Sequence, residues 1–420
     1  MLPLPAKKPK SFYGYTIVLA GFFIMLVGFG TMYSYGVFFK PLSAEFGWTR
    51  AVTSGAYSLY MFLHGLFAIV TGRLNDRFGP RIVVGVCGLF LALGYFLMSQ
   101  ISTLWHVYLF YGVVIAIGMS GVFVPLTSVI ARWFVRRRGM MTGIVVAGVG
   151  AGTMIMPPVS EWLISTYDWR TSFIAISILT LVVIIPATQF LKYDPSQMGL
   201  RPYGAEETKA GNPKAEVKGF SLNQALRTKQ FWLLLGSLAC FGFALQVIMV
   251  HIVPHITDIG ISAIIAASMM TIIGALSLMG KIIMGSASDR IGTKKAFIIA
   301  MSLMLANLLW LLVAKEIWML YLFAAIHGFA YGSQVPLPSP MVAELYGLRS
   351  HGVILGVTSF AATAGGAIGP ILAGYIFDTQ GSYQLAFIVS AIVVAVGFIL
   401  MALLRPLASS GEADGPIKSF

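Results

Sequence analysis

Gly72-Arg-Leu-Asn-Asp76-Arg77-Phe-Gly79-Pro-Arg81 and Gly285-Ser-Ala-Ser-Asp289-Arg290-Ile-Gly292-Thr-Lys294 place glycine, Asp-Arg, glycine and a terminal cation at the same offsets, 213 positions apart. The same shift pairs Trp105 with Trp318, Tyr108-Leu109-Phe110 with Tyr321-Leu322-Phe323, Pro125 with Pro338, Gly139 with Gly352, Gly143 with Gly356 and Pro157 with Pro370. One register held over so long a span marks a duplicated unit. Parallel repeats in an apolar chain point to two halves related by an axis along a membrane normal, with a substrate site between them.

The surroundings of the repeat say which solvent the chain folds in. Of its 420 residues, 58% are hydrophobic and 10% charged, against about 25% charged in ordinary globular chains. So much apolar surface calls for lipid. A hydrocarbon core of about 30 Å takes roughly 20 apolar residues per helix. Stretches of that length fall at 13–39, 50–71, 80–99, 103–131, 139–165 and 169–191, then at 230–258, 262–287, 293–313, 317–346, 351–377 and 381–405. The expected fold is all-α and integral to the membrane: twelve spans in two six-helix halves, residues 1–191 and 230–420, joined by a cytoplasmic linker at 192–229. The middle of that linker reads as mobile, and Phe220-Ser-Leu-Asn-Gln-Ala-Leu226 as a short interfacial helix.

With a cytoplasmic N-terminus, the even-numbered loops, their flanking helix ends and both tails hold 23 of the 28 Lys and Arg residues; only Lys40, Arg50, Arg170, Lys281 and Lys315 fall elsewhere. The positive-inside rule then places both termini in the cytoplasm. Topology accounts for the net charge of +13 and no nucleic-acid partner is needed; Arg136-Arg137-Arg138 reads as an anchor at anionic head groups. The two cysteines, Cys87 and Cys240, lie in spans and indicate no disulfide framework. The N-terminal ten residues have no apolar core of their own, so no cleavable signal is expected. Metal-ligand clusters, phosphate loops and nucleophile elbows are missing from the sequence, which points away from an enzyme, a metal site, a cofactor or a primary pump.

The repeated loop has a mechanism to offer. Asp76 and Asp289 end the second and eighth spans, where each can cap a neighbouring helix N-terminus and pair with Arg77 or Arg290 to latch the cytoplasmic side. The glycines of Gly148-Val-Gly-Ala-Gly152 and Gly365-Gly366-Ala-Ile-Gly369 serve either tight packing or the moving contact between halves.

Ionisable groups at membrane depth are costly and mark function. Lys281 lies eight residues before Asp289, roughly 12 Å inside the surface at about 1.5 Å per residue. Its four-residue neighbours are Ser277 and Gly285, so its own helix supplies no carboxylate. It reads as a receptor for a carboxylate, with snorkelling to head groups as the alternative. No acid falls near the centre of a span, which suits an anionic substrate better than a cationic one. Tyr331 and Gln246 can add hydrogen bonds, Val145 can shape the cavity, and His64, His251 and His327 are polar groups near mid-depth. Tyr33 and Tyr35 read equally as vestibule lining or interfacial anchors.

The paired loops and the six-plus-six layout resemble the major facilitator superfamily over nearly the whole chain. More specifically, Trp133-Phe-Val-Arg-Arg-Arg-Gly-Met-Met-Thr-Gly143 running into Ala147-Gly-Val-Gly-Ala-Gly152, Gly369-Pro370-x-x-Ala373-Gly374 with Asp378 and Gly381-Ser-Tyr383, and Tyr35-Gly-Val-Phe-Phe39 are similar to segments of the monocarboxylate transporters. The chain resembles a bacterial relative of the proton-coupled lactate transporters. That resemblance implies symport of a short monocarboxylate such as L-lactate or pyruvate with a proton, by alternating access, through a monomer in the cell membrane. The family's basic residue of the eighth span falls on Lys281, where arginine is usual, and lysine offers a point charge in place of a planar fork. Ser277 stands where many eukaryotic members carry aspartate, so the usual proton-accepting pair is missing. Lys281 itself is then the first candidate for proton coupling and His251 the second. The related oxalate/formate exchangers use a further buried cation on the eleventh span; here no Lys or Arg lies between His351 and Asp378, and one cation suits one carboxylate. A transport-inactive sensor on the same fold is the competing reading of another class.

Overall fold

Apolar runs this long can satisfy their backbone polar groups in lipid only by closing them internally, as helices. The structure, a computed structural model, describes residues 12–48, 50–205 and 219–405. In the first half the helices are α1 Gly14–Tyr33, α2 Tyr35–Phe46, α3 Arg50–Phe78, α4 Pro80–Met98, α5 Leu104–Val107, α6 Ala116–Ser120, α7 Phe123–Trp133, α8 Arg138–Thr166 and α9 Trp169–Gln189, with a π-helical stretch Tyr108–Ile115 joining α5 to α6. A short α10, Leu222–Leu226, precedes α11 Lys229–Asp258, α12 Ala263–Ile291, α13 Thr293–Leu311, α14 Ile317–Gln334, α15 Pro338–Tyr346, α16 His351–Gln380 and α17 Gln384–Leu403.

Eleven crossings among the described residues are single stretches long and apolar enough to span a membrane. The tenth expected span is instead broken at 335–337 into α14 and α15, where Pro336 and Pro338 remove two ladder donors. Counting that broken crossing, the six-plus-six arrangement results. Large apolar side chains such as Leu19, Phe23, Ile82, Val182 and Ile392 stay exposed along the outside, as a multi-pass membrane protein requires.

Two cores form, one from residues of α1–α9 and one mainly from α10–α17. The connecting segment is pinned to both: Tyr203 N donates to Trp133 O (2.8 Å) and Phe220 N to Tyr346 O (2.8 Å). Ser221 and Gln224 close a capping box on α10, the short helix anticipated there. The middle of the segment, read from the sequence as mobile, lies outside the described residues.

Glycines let the backbones touch. Gly148 and Gly152 pack on Phe22 and Leu26 carbonyls of α1, and Gly365 and Gly369 on Ala239 and Phe243 carbonyls of α11. These contacts lie within one half each. Of the two glycine runs, Gly150 faces across, toward Leu278 of α12. Packing therefore explains most of them, and the contacts between halves lie elsewhere, at Gly72 with Gly352 and at Gly139 and Gly143 with Gly285.

Candidate functional site

Lys281 sits on α12 one turn after Ser277, and close backbone packing of Gly280 and Gly332 between α12 and α14 brings Tyr331 over it. Its Nζ donates to Ser277 Oγ (3.1 Å) and lies 4.8 Å from the centroid of the Tyr331 ring. The Ser277 hydroxyl in turn donates to Gly274 O (2.8 Å), leaving its lone pairs for the ammonium. Lys281 is wholly covered. The ion pairs among the described residues are Arg132–Asp76 and Arg170–Glu45, so no carboxylate answers this lysine. A hydroxyl and a ring face are weak compensation for a buried charge. The arrangement is an amine held ready for a proton and an anion together.

Three cavities with shared lining residues lie around this part of the molecule. One of about 380 Å³ is bordered by Lys281, Ser277, Tyr331, Tyr33 and the Pro157–Pro158 turn of α8. A second of about 200 Å³ shares Tyr33 and Tyr331 with it. The third, about 560 Å³, shares Tyr33 with both and contains Gln246. Tyr33 and Tyr331 also interact through their hydroxyls. Tyr33 is thus the hinge point of the whole space, a role its place at the end of an apolar run did not single out.

Other candidate residues are placed differently. Val145 is buried with its Cγ1 3.1 Å from where a β-carbon on Gly21 would stand; it packs α8 on α1 and borders none of the three cavities, whereas Val149, one turn on, does. Gln246 lies in the 560 Å³ cavity, away from Lys281. His251 bridges Pro370 O (3.0 Å) and Tyr383 Oη (3.3 Å). A carbonyl only accepts, so Nε2 is the donor and Nδ1 accepts from the phenol. Both nitrogens are committed to tying α11 to α16 and the start of α17, and His251 borders neither cavity beside Lys281. His327 is buried and stacked on Phe323, 5.3 Å between centroids, while His64 borders the 200 Å³ cavity.

At the end of the molecule carrying the repeated loops the halves are locked together. Asp76 accepts from Gly352 N and Val353 N (both 3.0 Å), the N-terminus of α16. Asp289 accepts from Gly139 N (2.7 Å) and Met140 N (2.8 Å), the N-terminus of α8. Each carboxylate caps a helix of the opposite half. The expected partners Arg77 and Arg290 are not those found. The cation beside Asp76 is Arg132, at 3.5 Å, which also donates to Leu348 O (2.6 Å) and lies over the Tyr193 ring. Arg77 lies near the Phe78 ring and Arg290 is exposed, because a residue next to the carboxylate on the same helix points off its face. A second contact went unread in the sequence: His351 bridges Ser128 Oγ (3.0 Å) and Ser339 O (2.9 Å), and Ser339 Oγ donates to Thr127 O (2.9 Å). Its signal was only a histidine at the head of a span.

Two helical bundles closed on each other at one end, with cavities between them at mid-depth, make up a membrane transport fold. A model of the Major Facilitator Superfamily matches residues 19–280 and 237–416, and the chain belongs to that superfamily. It is 28% identical over 395 residues to monocarboxylate transporter 13 of Bos taurus (93% of this chain, 89% of the relative). It is 26% identical over 421 residues to monocarboxylate transporter 11 of Homo sapiens (98% and 87%). A crystal structure of the human organic anion transporter MFSD10 (TETRAN) has the same fold, with a TM-score of 0.72 at 16% identity, covering 94% of this chain and 100% of that one. Relatives and fold are those of transporters, not enzymes.

Proposed function

We propose that the protein is a secondary active transporter carrying a monocarboxylate together with a proton by alternating access. The carrying observation is Lys281: a covered amine with no carboxylate partner, on the wall of a cavity between the halves. The substrate carboxylate replaces Ser277 as its partner, with Tyr331 closing over it. A proton taken up with each anion makes the transported unit neutral, which removes a penalty of about 2.3 kcal/mol per charge per 100 mV. Lys281 takes that proton with the substrate and releases it with the substrate; His251, fully bonded elsewhere, is the weaker candidate.

Asp76 and Asp289 act as the gate, with Arg132 in the place first given to Arg77. The gate end is assigned to the cytoplasm of the cell by the Lys and Arg distribution, with both termini on that side and residues 1–191 and 230–420 as the moving halves of a monomer. One cation suits one carboxylate, so oxalate should compete poorly.

The test is uptake of labelled L-lactate and pyruvate into proteoliposomes, with and without an inward proton gradient. Gradient-driven uptake should fall at least tenfold in Lys281→Ala, since charge-assisted hydrogen bonds contribute about 1.5–3 kcal/mol. Flux that survives that substitution removes Lys281 from the site. Substrate-dependent stabilisation without any flux would favour a sensor.

A further inference from the structure

The space beside Lys281 and the chamber of about 200 Å³ between the halves share Tyr33 and Tyr331 as a common wall. Phe29, Phe123 and Val149 wall it from the first half, and Leu238, Phe241 and Leu245 from the second. Of its polar lining beyond the two tyrosines, Ser120, Thr358 and Thr363 donate to Ile117 O (2.7 Å), Leu355 O (2.9 Å) and Phe360 O (2.9 Å) of their own helices; His64 and Ser359 complete it. The first three turn their carbon sides to the void. Among the described residues no charged side chain borders the chamber, and no carboxylate borders any of the three cavities.

Resting on the carboxylate site proposed at Lys281, we infer that the substrate is a monocarboxylate with a bulky apolar tail, an aromatic ring or a branched chain, and no ammonium group. An apolar cavity of about 150 Å³ lined by Leu, Ile and Phe stays dry and takes up benzene; this one is larger, and Phe, Leu, Val, Met and Ala side chains make up most of its wall. A carboxylate on Lys281 leaves the tail to pass Tyr33 and Tyr331 and fill it. A small hydroxy acid anchored at Lys281 leaves the chamber empty. An amino acid would bring an ammonium to a place with no counter-charge, which is costly. One methylene more or less in an apolar pocket changes selectivity by about 10–200-fold, so a phenyl group that fits should outweigh a methyl by at least tenfold.

The experiment compares proton-driven uptake of labelled phenylpyruvate and labelled L-lactate in the same proteoliposomes. Phenylpyruvate should half-saturate at a concentration at least about tenfold lower, phenylalanine should not compete, and Lys281→Ala should abolish both fluxes. Leu245→Phe, which fills the chamber, should cut the phenylpyruvate-to-lactate preference by about tenfold. Because a filling variant can misfold, the unaltered protein in detergent gives an independent reading. There 4-phenylbutyrate should raise the melting temperature more than butyrate at equal concentration. Lysine-dependent lactate uptake, with aryl acids no better on either measure, overturns the apolar tail and leaves the carboxylate site standing. If neither acid accumulates in a Lys281-dependent way, both readings fall.

Discussion

At the scale of single residues the chemistry comes down to what surrounds Lys281. Lys281→Met matches volume without charge and should abolish proton-driven uptake. Lys281→Arg puts a planar fork and a charge that cannot be given up under Tyr331, so substrate should still bind while uptake loses its dependence on the proton gradient. Initial rates against concentration, with and without the gradient, separate the two, and a methionine variant that transports like the parent would sink the site. Lys281 was legible in the sequence because a cation in an apolar run is rare. Tyr33 was legible only as vestibule lining or an interfacial anchor and Val149 not at all, since periodicity assigns a residue to a face but does not tell which face meets the other half. Val145 failed for that reason. Far from the site, Glu45 accepts from the Trp169 indole (2.6 Å) and pairs with Arg170 (2.7 Å), and these two donors hold its carboxyl below the usual range. A lowered folded pKa gives stability that is present above the unfolded value of about 4.3 and lost as pH falls through the folded one. The melting temperature of Glu45→Gln should therefore lie slightly below the parent at neutral pH, and the two should converge in acid; a constant offset would show that charge is not the cause.

Helices carry these residues, and their ends decide how the halves meet. Asp76 and Asp289 each satisfy two otherwise orphaned amides on a helix of the other half. Losing such a cap costs about 0.5–2 kcal/mol, enough to shift a two-state equilibrium by roughly 2–30-fold. Asp289→Ala should therefore enrich a conformation parted at this end. Spin labels at the exposed Arg136 and Arg349 would read it as a longer-distance population, and an unchanged distance distribution would count against the gate. Helix existence was readable from hydropathy almost everywhere. Interruptions were less so. Pro336 and Pro338 signalled the α14–α15 break, yet apolar composition on both sides ran the tenth span together. The parting of α1 from α2 at Ser34, whose hydroxyl donates to Gly30 O (2.9 Å), had only Gly36 nearby to announce it. The π-helical stretch Tyr108–Ile115 had none beyond Gly112.

For the whole molecule the duplication acts crosswise. Adding 213 turns Asp76 into Asp289, Gly139 and Met140 into Gly352 and Val353, and Trp133, which holds one end of the linker, into Tyr346, which holds the other. The closed end is therefore built twice. The binding site is not: the same shift sets Ala68 against Lys281, His64 against Ser277 and Tyr33 against Gln246. A symmetric scaffold thus carries an asymmetric cavity, with a single lysine in its wall, and opening one end must break both copies of the latch together. A covalent lock across a single copy should then arrest the cycle. A β-carbon at Gly139 would meet the Ser288 hydroxyl and the Gly285 carbonyl of the opposite half, so Gly139→Cys with Ser288→Cys brings two thiols together for a disulfide once α8 and α12 shift slightly apart. Oxidised, this variant should lose proton-driven uptake by more than about tenfold while its melting temperature still responds to added substrate, because the cavities lie clear of the lock. Reduction should restore flux. Transport that continues undiminished in fully cross-linked protein would mean that the halves do not part at this end, and alternating access through the Asp76 and Asp289 caps would be wrong.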